Sequence, residues 1–408
     1  MSKPTLSPVA SQDRIISLDV LRGLAVLGIL IMNIQHFSMI TAAYINPTAY
    51  GDFTGINLWI WIVSHILADS KFMTLFSMLF GAGILLITRK AKEAGRNPAG
   101  LHYKRIFWLL IIGLVHAYLI WSGDILVGYA MCAIMVYLFR NVRPGWLLFW
   151  GLLCMSVTTM IYVYGGLTIE LWPVESYESS LSNWLPSAED VQREVSGYQG
   201  GWLEQMEVRV DSAIFMETFF FLMSTSWHSG GIMLIGMALF KWGFLSAEKS
   251  RKVYVTTLLI GLTVGLTLII YGVIQNFNHK WFHDYSLYFG EQYNYWGSLF
   301  MSMAYVSIIM LICKSDHFKR FKHNLSLIGK SALSNYLLQS ILCTFIFYGH
   351  GLGLYGKAER WQQILITFGI WIILIILTRI WMKRYRFGPA EWAWRSLTYW
   401  KRQPVKID

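Results

Sequence analysis

The stretch LDVLRGLAVLGILIMN, residues 18–33, decides the class of fold. It is apolar over most of its length, yet it carries Asp19 and Arg22 at one end and Asn33 at the other. A helix needs roughly 20 mostly apolar residues to cross the hydrocarbon core of a bilayer, and the apolar run that begins near residue 15 has that length. Polar groups inside such a segment are costly, so each of them is a candidate functional residue.

The composition of the whole chain indicates a membrane protein. Of its 408 residues, 55% are hydrophobic and only 14% are charged, and the mean hydropathy is +0.45, whereas soluble domains are about one quarter charged. The net charge of +11 suits a nucleic-acid partner at first sight. However, the Lys and Arg residues stand in short clusters between apolar runs, as they do on the cytoplasmic side of membrane proteins. We therefore expect the lipid bilayer, and no nucleic acid, as a partner.

Apolar runs recur along the chain and predict an all-α, polytopic transmembrane helix bundle of about ten spans. We expect a single integral membrane domain over residues 1–408. The second run, residues 56–88, is interrupted by HILADSK, so it forms either one tilted helix or two helices. The predicted spans start near Ile15, Ile56, Ile106, Ile125, Trp146, Ile214, Val253, Trp296, Ser326 and Trp361.

The distribution of charge predicts the topology. With ten spans, every basic cluster falls on one side, which the positive-inside rule identifies as the cytoplasmic side. Both termini are then cytoplasmic. The long segment 166–213 lies on the opposite side and carries nine acidic residues against two arginines. We expect this segment to fold as an outer loop or cap. The C-terminal segment 386–408 is rich in Trp and Tyr, has Pro389 where a helix could begin, and is predicted to be an interfacial amphipathic segment.

Four polar residues of the first helix share one face. Asp19 and Arg22 are three residues apart. Asn33 follows Arg22 by eleven residues, almost three turns and about 16 Å further along the helix, and His36 is one turn beyond. The stripe either lines a cavity or packs the helix against its neighbours.

His65 and Asp69 form the second candidate pair. They are four residues apart, so a helix places them on one face, where a carboxylate can orient an imidazole for acid–base chemistry. The same pair can also be a structural hydrogen bond at a helix break. We predict His65, oriented by Asp69, as a general base, with His36 as the second candidate.

Other polar residues inside the predicted spans are candidates for lining a cavity. Ser331, Asn335 and Gln339 step by four and continue to His350, which predicts a polar stripe that either joins helices or completes a tunnel. No sequence pattern indicates a metal site. The predicted cavity-lining residues are Asp19, Arg22, Asn33, His116, Asp124, His228, Asn335 and Gln339.

Several motifs resemble one family over nearly the whole chain. RIISLDVLRGLAVLGILIMNI, KFMTLFSMLFGAGI, GLVHAYLIWSGDILVGYA, GKSALSNYLLQSIL and FGPAEWAWRSLTYW stand in the order that is typical of the YeiB-like family of bacterial inner-membrane proteins. The resemblance implies a multi-pass protein of the bacterial inner membrane. It does not name a reaction, and the sequence leaves a homo-oligomer open.

The segment DVLRG…N is also similar, more distantly, to the first helix of membrane acyltransferases. Arg22 and Asn33 match that pattern by position, although the bacterial type of acyltransferase has a His where this chain has Asn33. The resemblance implies transfer of an acyl group from cytoplasmic acyl-CoA to a hydroxyl or amine near the outer face. The CoA phosphates would then bind basic residues, for which Arg22, Lys104 and Arg105 are the candidates. A transporter or flippase for a small metabolite or lipid, with the same polar residues lining a tunnel, is the alternative.

Overall fold

A computed structural model describes residues 15–407, and these residues form a helical bundle. Apart from one antiparallel bridge between Tyr385 and Lys406, the described residues contain no β-structure. The all-α class predicted from the apolar runs is therefore confirmed. The α-helices are α1 (Ile16–Ser38), α2 (Ala42–Ile45), α3 (Gly55–Leu67), α4 (Lys71–Glu93), α5 (Pro98–Leu119), α6 (Leu126–Val136), α7 (Pro144–Leu167), α8 (Val174–Trp184), α9 (Ala188–Gln199), α10 (Gln205–Glu217), α11 (Ser226–Lys241), α12 (Arg251–Asn278), α13 (His283–Tyr285), α14 (Glu291–Cys313), α15 (Lys319–Lys330), α16 (Ala332–Phe347), α17 (Arg360–Met382) and α18 (Pro389–Tyr399).

Six of the described helical segments are long and apolar enough to cross a membrane. The other predicted spans coincide with helices that are shorter, interrupted or more polar, namely α5, α6, α10 with α11, and α16. The chain is therefore a multi-span membrane protein, and the total of about ten spans stays a prediction. The six segments are Ile16–Ser38, Gly55–Glu93, Pro144–Leu167, Arg251–Asn278, His283–Cys313 and Arg360–Met382.

The second apolar run forms two helices. Helix α3 ends at Leu67, α4 begins at Lys71, and Ser70 between them has a φ of 63°, in the left-handed region. A non-glycine residue in that region costs free energy, so the surrounding contacts must hold the break in place. The break falls at HILADSK, where the sequence left one or two helices open.

The predicted span that starts near Ser326 is also two helices, and the predicted polar stripe forms only in part. The backbone turns at Ser331, which is the N-cap of α16 and whose hydroxyl accepts a hydrogen bond from Asn335. Helix α16 ends at Phe347, and His350 lies beyond it in a loop. In the sequence, the four-residue spacing of polar side chains continues across the break between α15 and α16. This break contains no Pro and is marked in the sequence only by small residues.

Glycines allow two pairs of helices to pack backbone against backbone. A Cβ atom at Gly23 of α1 would overlap the carbonyl oxygen of Leu325 in α15, and one at Gly329 of α15 would overlap that of Asp19. Helices α4 and α11 have a similar crossing, which includes Gly81. Small residues at such crossings let membrane helices gain van der Waals contact.

Helices α8, α9 and α10, which we call the cap, pack on the loops at one end of the bundle. The backbone N–H and hydroxyl of Thr41, after α1, both donate to Glu194 of α9 at 2.9 Å. Trp202 and Arg209 donate to the carbonyl of Leu119, at the end of α5. We call this the cap end. The opposite end, where α1 and α5 begin and α18 lies, is the basic end.

Helix α18 completes the start of α16 at the basic end. The carboxylate of Glu391 is buried and accepts hydrogen bonds from the backbone N–H groups of Leu333 and Ser334, at 2.6 and 3.2 Å, and from the Ser334 hydroxyl at 2.5 Å. A helix leaves its first N–H groups without internal partners, and an acidic side chain there both satisfies them and suits the helix dipole. The start of α18 at Pro389 was predicted, whereas its interfacial position stays a prediction.

Candidate active site

A buried Asp–His pair lies at the cap end of α5. Nδ1 of His116 lies 2.7 Å from Oδ1 of Asp124, and both side chains are only 1% exposed. The other carboxylate oxygen of Asp124 accepts a hydrogen bond from the backbone N–H of Val127 at 2.7 Å, which fixes the carboxylate at the start of α6. Since Asp124 accepts the proton on Nδ1, the lone pair of the imidazole is on Nε2. Nε2 is buried and has no hydrogen-bond partner among residues 15–407.

Aromatic rings connect this pair to the end of α1. The ring of Trp121 lies 6.2 Å from that of His116 and 5.4 Å from that of His36. Tyr336 of α16 packs on the other side of His116 at 5.1 Å, and Tyr44 packs on His36 at 6.2 Å. The indole N–H of Trp121 is also buried without a partner in the described part of the chain. The structure thus brings the predicted residues His36, His116 and Asp124 together.

The predicted pair His65–Asp69 is formed at the break between α3 and α4. Nδ1 of His65 lies 2.9 Å from Oδ2 of Asp69, and the imidazole stacks on Trp61 with ring centroids 4.7 Å apart. The amide of Asn294 in α14 donates to the same Asp69 oxygen at 2.9 Å. Within residues 15–407, no hydrogen bond or ring contact joins His65 directly to His36 or His116, although Tyr44, which packs on His36, lies within electrostatic range of Asp69.

Lys71 holds this network together. Its side chain is fully buried and donates to the carbonyl of His65, which the helix break leaves open, at 2.7 Å, and to Oδ1 of Asn294 at 2.5 Å. Asp69 and Glu291 both lie within electrostatic range of its ammonium group. A buried cation with several hydrogen bonds and nearby carboxylates is the arrangement that makes burial of charge tolerable.

Arginines gather at the basic end. The guanidinium of Arg22 lies 3.0 Å from Asp19, as the three-residue spacing predicts. Arg105 of α5 is stacked 4.0 Å above Trp394 of α18, whose indole N–H donates to the Arg105 carbonyl. Arg105 is within electrostatic range of both Arg22 and Arg395. We call Arg22, Arg105 and Arg395 the arginine cluster. The third predicted cofactor-binding residue, Lys104, is exposed beside it.

The polar groups at the two ends of α1 are separated by a closed apolar layer. Between Arg22 and Asn33, the side chains of Val26 and Leu30 are 0% and 1% exposed, so they border no water-sized space. Gln339 of α16 donates across this level to the carbonyl of Val26 at 3.0 Å. The polar stripe that the sequence predicts is therefore divided into two polar clusters, one at each end of α1.

The remaining predicted residues hold helices together. Asn335 accepts a hydrogen bond from Thr378 of α17 at 2.9 Å and donates to the Ser331 hydroxyl at 3.0 Å. His228 of α11 is buried against the ring of Tyr295 in α14 and contacts no other predicted site residue. Across residues 15–407, no group of three His, Cys, Asp or Glu side chains could hold a metal ion.

Comparison with known proteins gives matches over nearly the full length. The chain is 29% identical to "Uncharacterized protein YxaH" of Bacillus subtilis, with 98% of each chain covered. It is also 29% identical to "Uncharacterized protein YeiB" of Escherichia coli, with 95% of this chain and 96% of the relative covered. The family described as a protein of unknown function, DUF418, matches residues 239–401. The chain is similar to these YeiB-like proteins over nearly its whole length, as the sequence motifs predicted.

The cap carries a titratable contact of its own. Glu194 accepts hydrogen bonds from Thr41 and from the Tyr355 hydroxyl, the latter at 3.0 Å. Burial of the carboxylate raises its pKa above the ordinary value and outweighs these hydrogen bonds, which act in the opposite direction. The cap is therefore held partly by a carboxyl group whose burial disfavours its ionised form.

Three residues that the sequence did not single out contribute to these sites. Arg395 joins the arginine cluster only because α18 folds back on α5, and its one signal was its place in the motif FGPAEWAWRSLTYW. Asn294 and Tyr336 approach from α14 and α16, far along the chain. A polar side chain one turn inside an apolar helix was the only signal for Asn294.

Proposed function

We propose that the protein is an acyltransferase of the bacterial inner membrane. It would move an acyl group from acyl-CoA, bound at the cytoplasmic side, to a hydroxyl or amine acceptor near the outer face. The observation that carries the proposal is the buried His116–Asp124 pair, whose Nε2 has no partner among the described residues. An imidazole oriented by a carboxylate and with a free lone pair has the arrangement of a general base.

The proposed reaction needs the base and no metal. Nε2 of His116 takes the proton of the acceptor hydroxyl, and the oxygen of that hydroxyl attacks the carbonyl carbon of the thioester. The carbon–sulfur bond then breaks, and the proton passes from the imidazolium to the departing thiolate of CoA. His36, which also contacts Trp121, is placed to orient the acceptor.

The arginine cluster supports the donor side of the proposal. Guanidinium groups bind phosphate oxygens with two parallel hydrogen bonds, and CoA carries several phosphates. Arg22 and Arg105, the candidates named from the sequence, lie within electrostatic range of each other, and Arg395 adds a third cation from α18. The acyl-pantetheine arm would pass along α1, which requires the layer of Val26 and Leu30 to separate when the donor binds.

The structure favours His116 over His65 as the base, although the sequence favoured His65. The oxygen of Asp69 that faces His65 also accepts a hydrogen bond from Asn294, and the buried Lys71 competes for the same charge. The pair at the helix break is therefore part of a larger network, whereas Asp124 serves His116 and the start of α6 alone.

The proposal is tested by measuring CoA binding and acyl transfer with the full chain in nanodiscs. Acetyl-CoA or palmitoyl-CoA serves as the acyl donor. Arg105→Gln should weaken CoA binding about tenfold in calorimetry, the loss of one charged hydrogen-bonding group, whereas the exposed neighbour Lys104→Gln should change it little. No CoA binding by the wild-type protein would overturn the proposal.

The base is tested by transfer of radiolabel from the donor into membrane lipids and glycans. His116→Ala should lower transfer by roughly 100- to 10,000-fold with unchanged CoA binding. His102→Ala, a buried histidine on the same helix that bonds the Ala133 carbonyl, is the matched control and should retain transfer. Loss with His65→Ala and retention with His116→Ala would assign the base to the other pair.

Transport of a small metabolite or lipid is the second candidate, and one observation favours it. Helices broken within the membrane often carry substrate or coupling-ion sites, and the break at Ser70 has Asp69 and Lys71 on its two sides. Uptake by proteoliposomes without any acyl donor, abolished by Asp69→Asn and retained in His116→Ala, would support this candidate against the first.

A further inference from the structure

A groove runs along the outside of the bundle between α3 and α17. Its volume is about 320 Å³, and Ile31 of α1 forms part of its floor. Both flanking helices begin at the cap end, α3 at Gly55 and α17 at Arg360, so they run in the same direction beside the groove. The groove extends from Trp59 to Ala68 on α3, which is about 14 Å of helix.

The lining of the groove suits a hydrocarbon chain. Val63 and Leu67 on α3 and Phe368 on α17 line it, and each of these side chains is about half exposed at the surface of segments that are apolar enough to lie in a membrane. The hydroxyl of Thr367 points into its own helix and donates to the Gln363 carbonyl. The Thr367 hydroxyl therefore needs no hydrogen-bond partner from a ligand in the groove.

Two carboxylates lie at the cap end of the groove. The amide nitrogen of Asn57, in the first turn of α3, donates to Asp52 at 2.8 Å and to Glu359 at 3.2 Å. The indole N–H of Trp361, at the start of α17, donates to the same oxygen of Glu359 at 2.8 Å. These contacts tie the starts of the two helices together, about one turn before the groove begins.

The charge at this position is negative and accessible. Asp52 and Glu359 are exposed, and hydrogen bonds from Asn57 and Thr54 lower the pKa of Asp52, so it is ionised at neutral pH. The guanidinium of Arg360 is a nearby cation. It is buried and donates to the carbonyls of Asp52 and Pro47 rather than to either carboxylate. Two carboxylates that share one amide donor favour an additional cation beside them.

We propose that this groove binds one phospholipid with an amine in its headgroup. One acyl chain lies along α3 and α17, and the ammonium group contacts Asp52 and Glu359. Trp59 and Trp361 flank the headgroup level, where aromatic side chains are favoured in membrane proteins. The site is separate from His116 and from the arginine cluster, and it does not depend on the proposed acyl transfer.

The test uses the full chain in nanodiscs of phosphatidylethanolamine and phosphatidylglycerol in equal amounts, with native mass spectrometry of the lipids that stay bound. Wild-type protein should retain the ethanolamine lipid about threefold above the glycerol lipid, the preference that one exposed ion pair provides. Asp52→Asn with Glu359→Gln should remove that preference. Equal retention of the two lipids by the wild type would overturn the assignment of the headgroup.

The groove itself is tested by filling it. Val63→Trp should lower the number of retained lipids by one, whereas Ile372→Trp, on an exposed part of α17 outside the groove, should not. His116→Ala should retain the lipid as the wild type does, which separates this outcome from failure of the proposed function. Unchanged retention in Val63→Trp would show that the groove is not the site.

Discussion

The two ends of α1 present opposite electrostatic arrangements. At the cap end, the buried His116 is paired with one carboxylate, that of Asp124. At the basic end, three arginines from α1, α5 and α18 lie close enough to interact unfavourably, and Arg105 is stacked on an aromatic ring. The first arrangement can move a proton without change of net charge. The second arrangement attracts a multiply charged anion. This difference is expected if the acyl-CoA donor and the acceptor approach from opposite sides of the membrane.

The largest effect should come from breaking the pair at the cap end. Asp124→Asn keeps the size of the side chain and a group that can accept from Val127, but it no longer fixes the proton of His116 on Nδ1. Acyl transfer should fall by at least about 100-fold with CoA binding unchanged, and the pH–rate profile should shift. Wild-type transfer rates in Asp124→Asn would show that the pair has only a structural role.

The second largest effect, a loss of stability, should follow from removing the buried cation of Lys71 at the helix break. Lys71→Met leaves Asp69 and Glu291 without their buried counter-charge, which should cost about 3–5 kcal/mol of stability. Lys241→Met is the matched control, because Lys241 is exposed and donates to the carbonyls of Arg140 and Val142. Thermal unfolding in nanodiscs compares the two variants.

A companion variant keeps that prediction falsifiable. Lys71→Met combined with Asp69→Asn removes a positive and a negative charge together and should recover part of the lost stability. If the double variant were less stable than Lys71→Met alone, the charge interaction would not be what holds the break.

The smallest effect concerns attachment of the cap. Because the folded-state pKa of Glu194 is raised, its contribution to stability is full below the unfolded pKa of about 4.5 and is lost as pH rises through the folded value. Glu194→Gln should remove this slope and raise the unfolding temperature at neutral pH by about 2 °C or less. Glu189→Gln, exposed on the same helix, should keep the wild-type slope. An unfolding temperature lowered equally at all pH values in Glu194→Gln would contradict the prediction.

Periodicity predicted the parts of the site that lie within one helix. The pairs Asp19–Arg22 and His65–Asp69 follow directly from spacings of three and four, and both are formed. His116 and Asp124 are eight residues apart with the end of α5 between them, so no helical face relates them. The loop folds back to join them, and sequence spacing cannot specify that geometry.

The middle of α1 shows a second limit of the same reasoning. A shared face predicts which side chains point in one direction, but not whether space is left in front of them. Gln339 and the small glycine crossings bring neighbouring helices close enough to close that space at Val26. Tertiary packing, which the pattern of one segment does not contain, decides between a cavity and a packed interface.

The contact between Glu391 and the start of α16 has a consequence for how the chain is made. Glu391 is synthesised 57 residues after Ser334, whose backbone it caps. Until α18 packs against it, the first amides of α16 therefore need water or lipid headgroups as temporary partners. Folding of α16 is thus completed in two steps, and a chain that ends before residue 391 would lack the carboxylate that caps this helix.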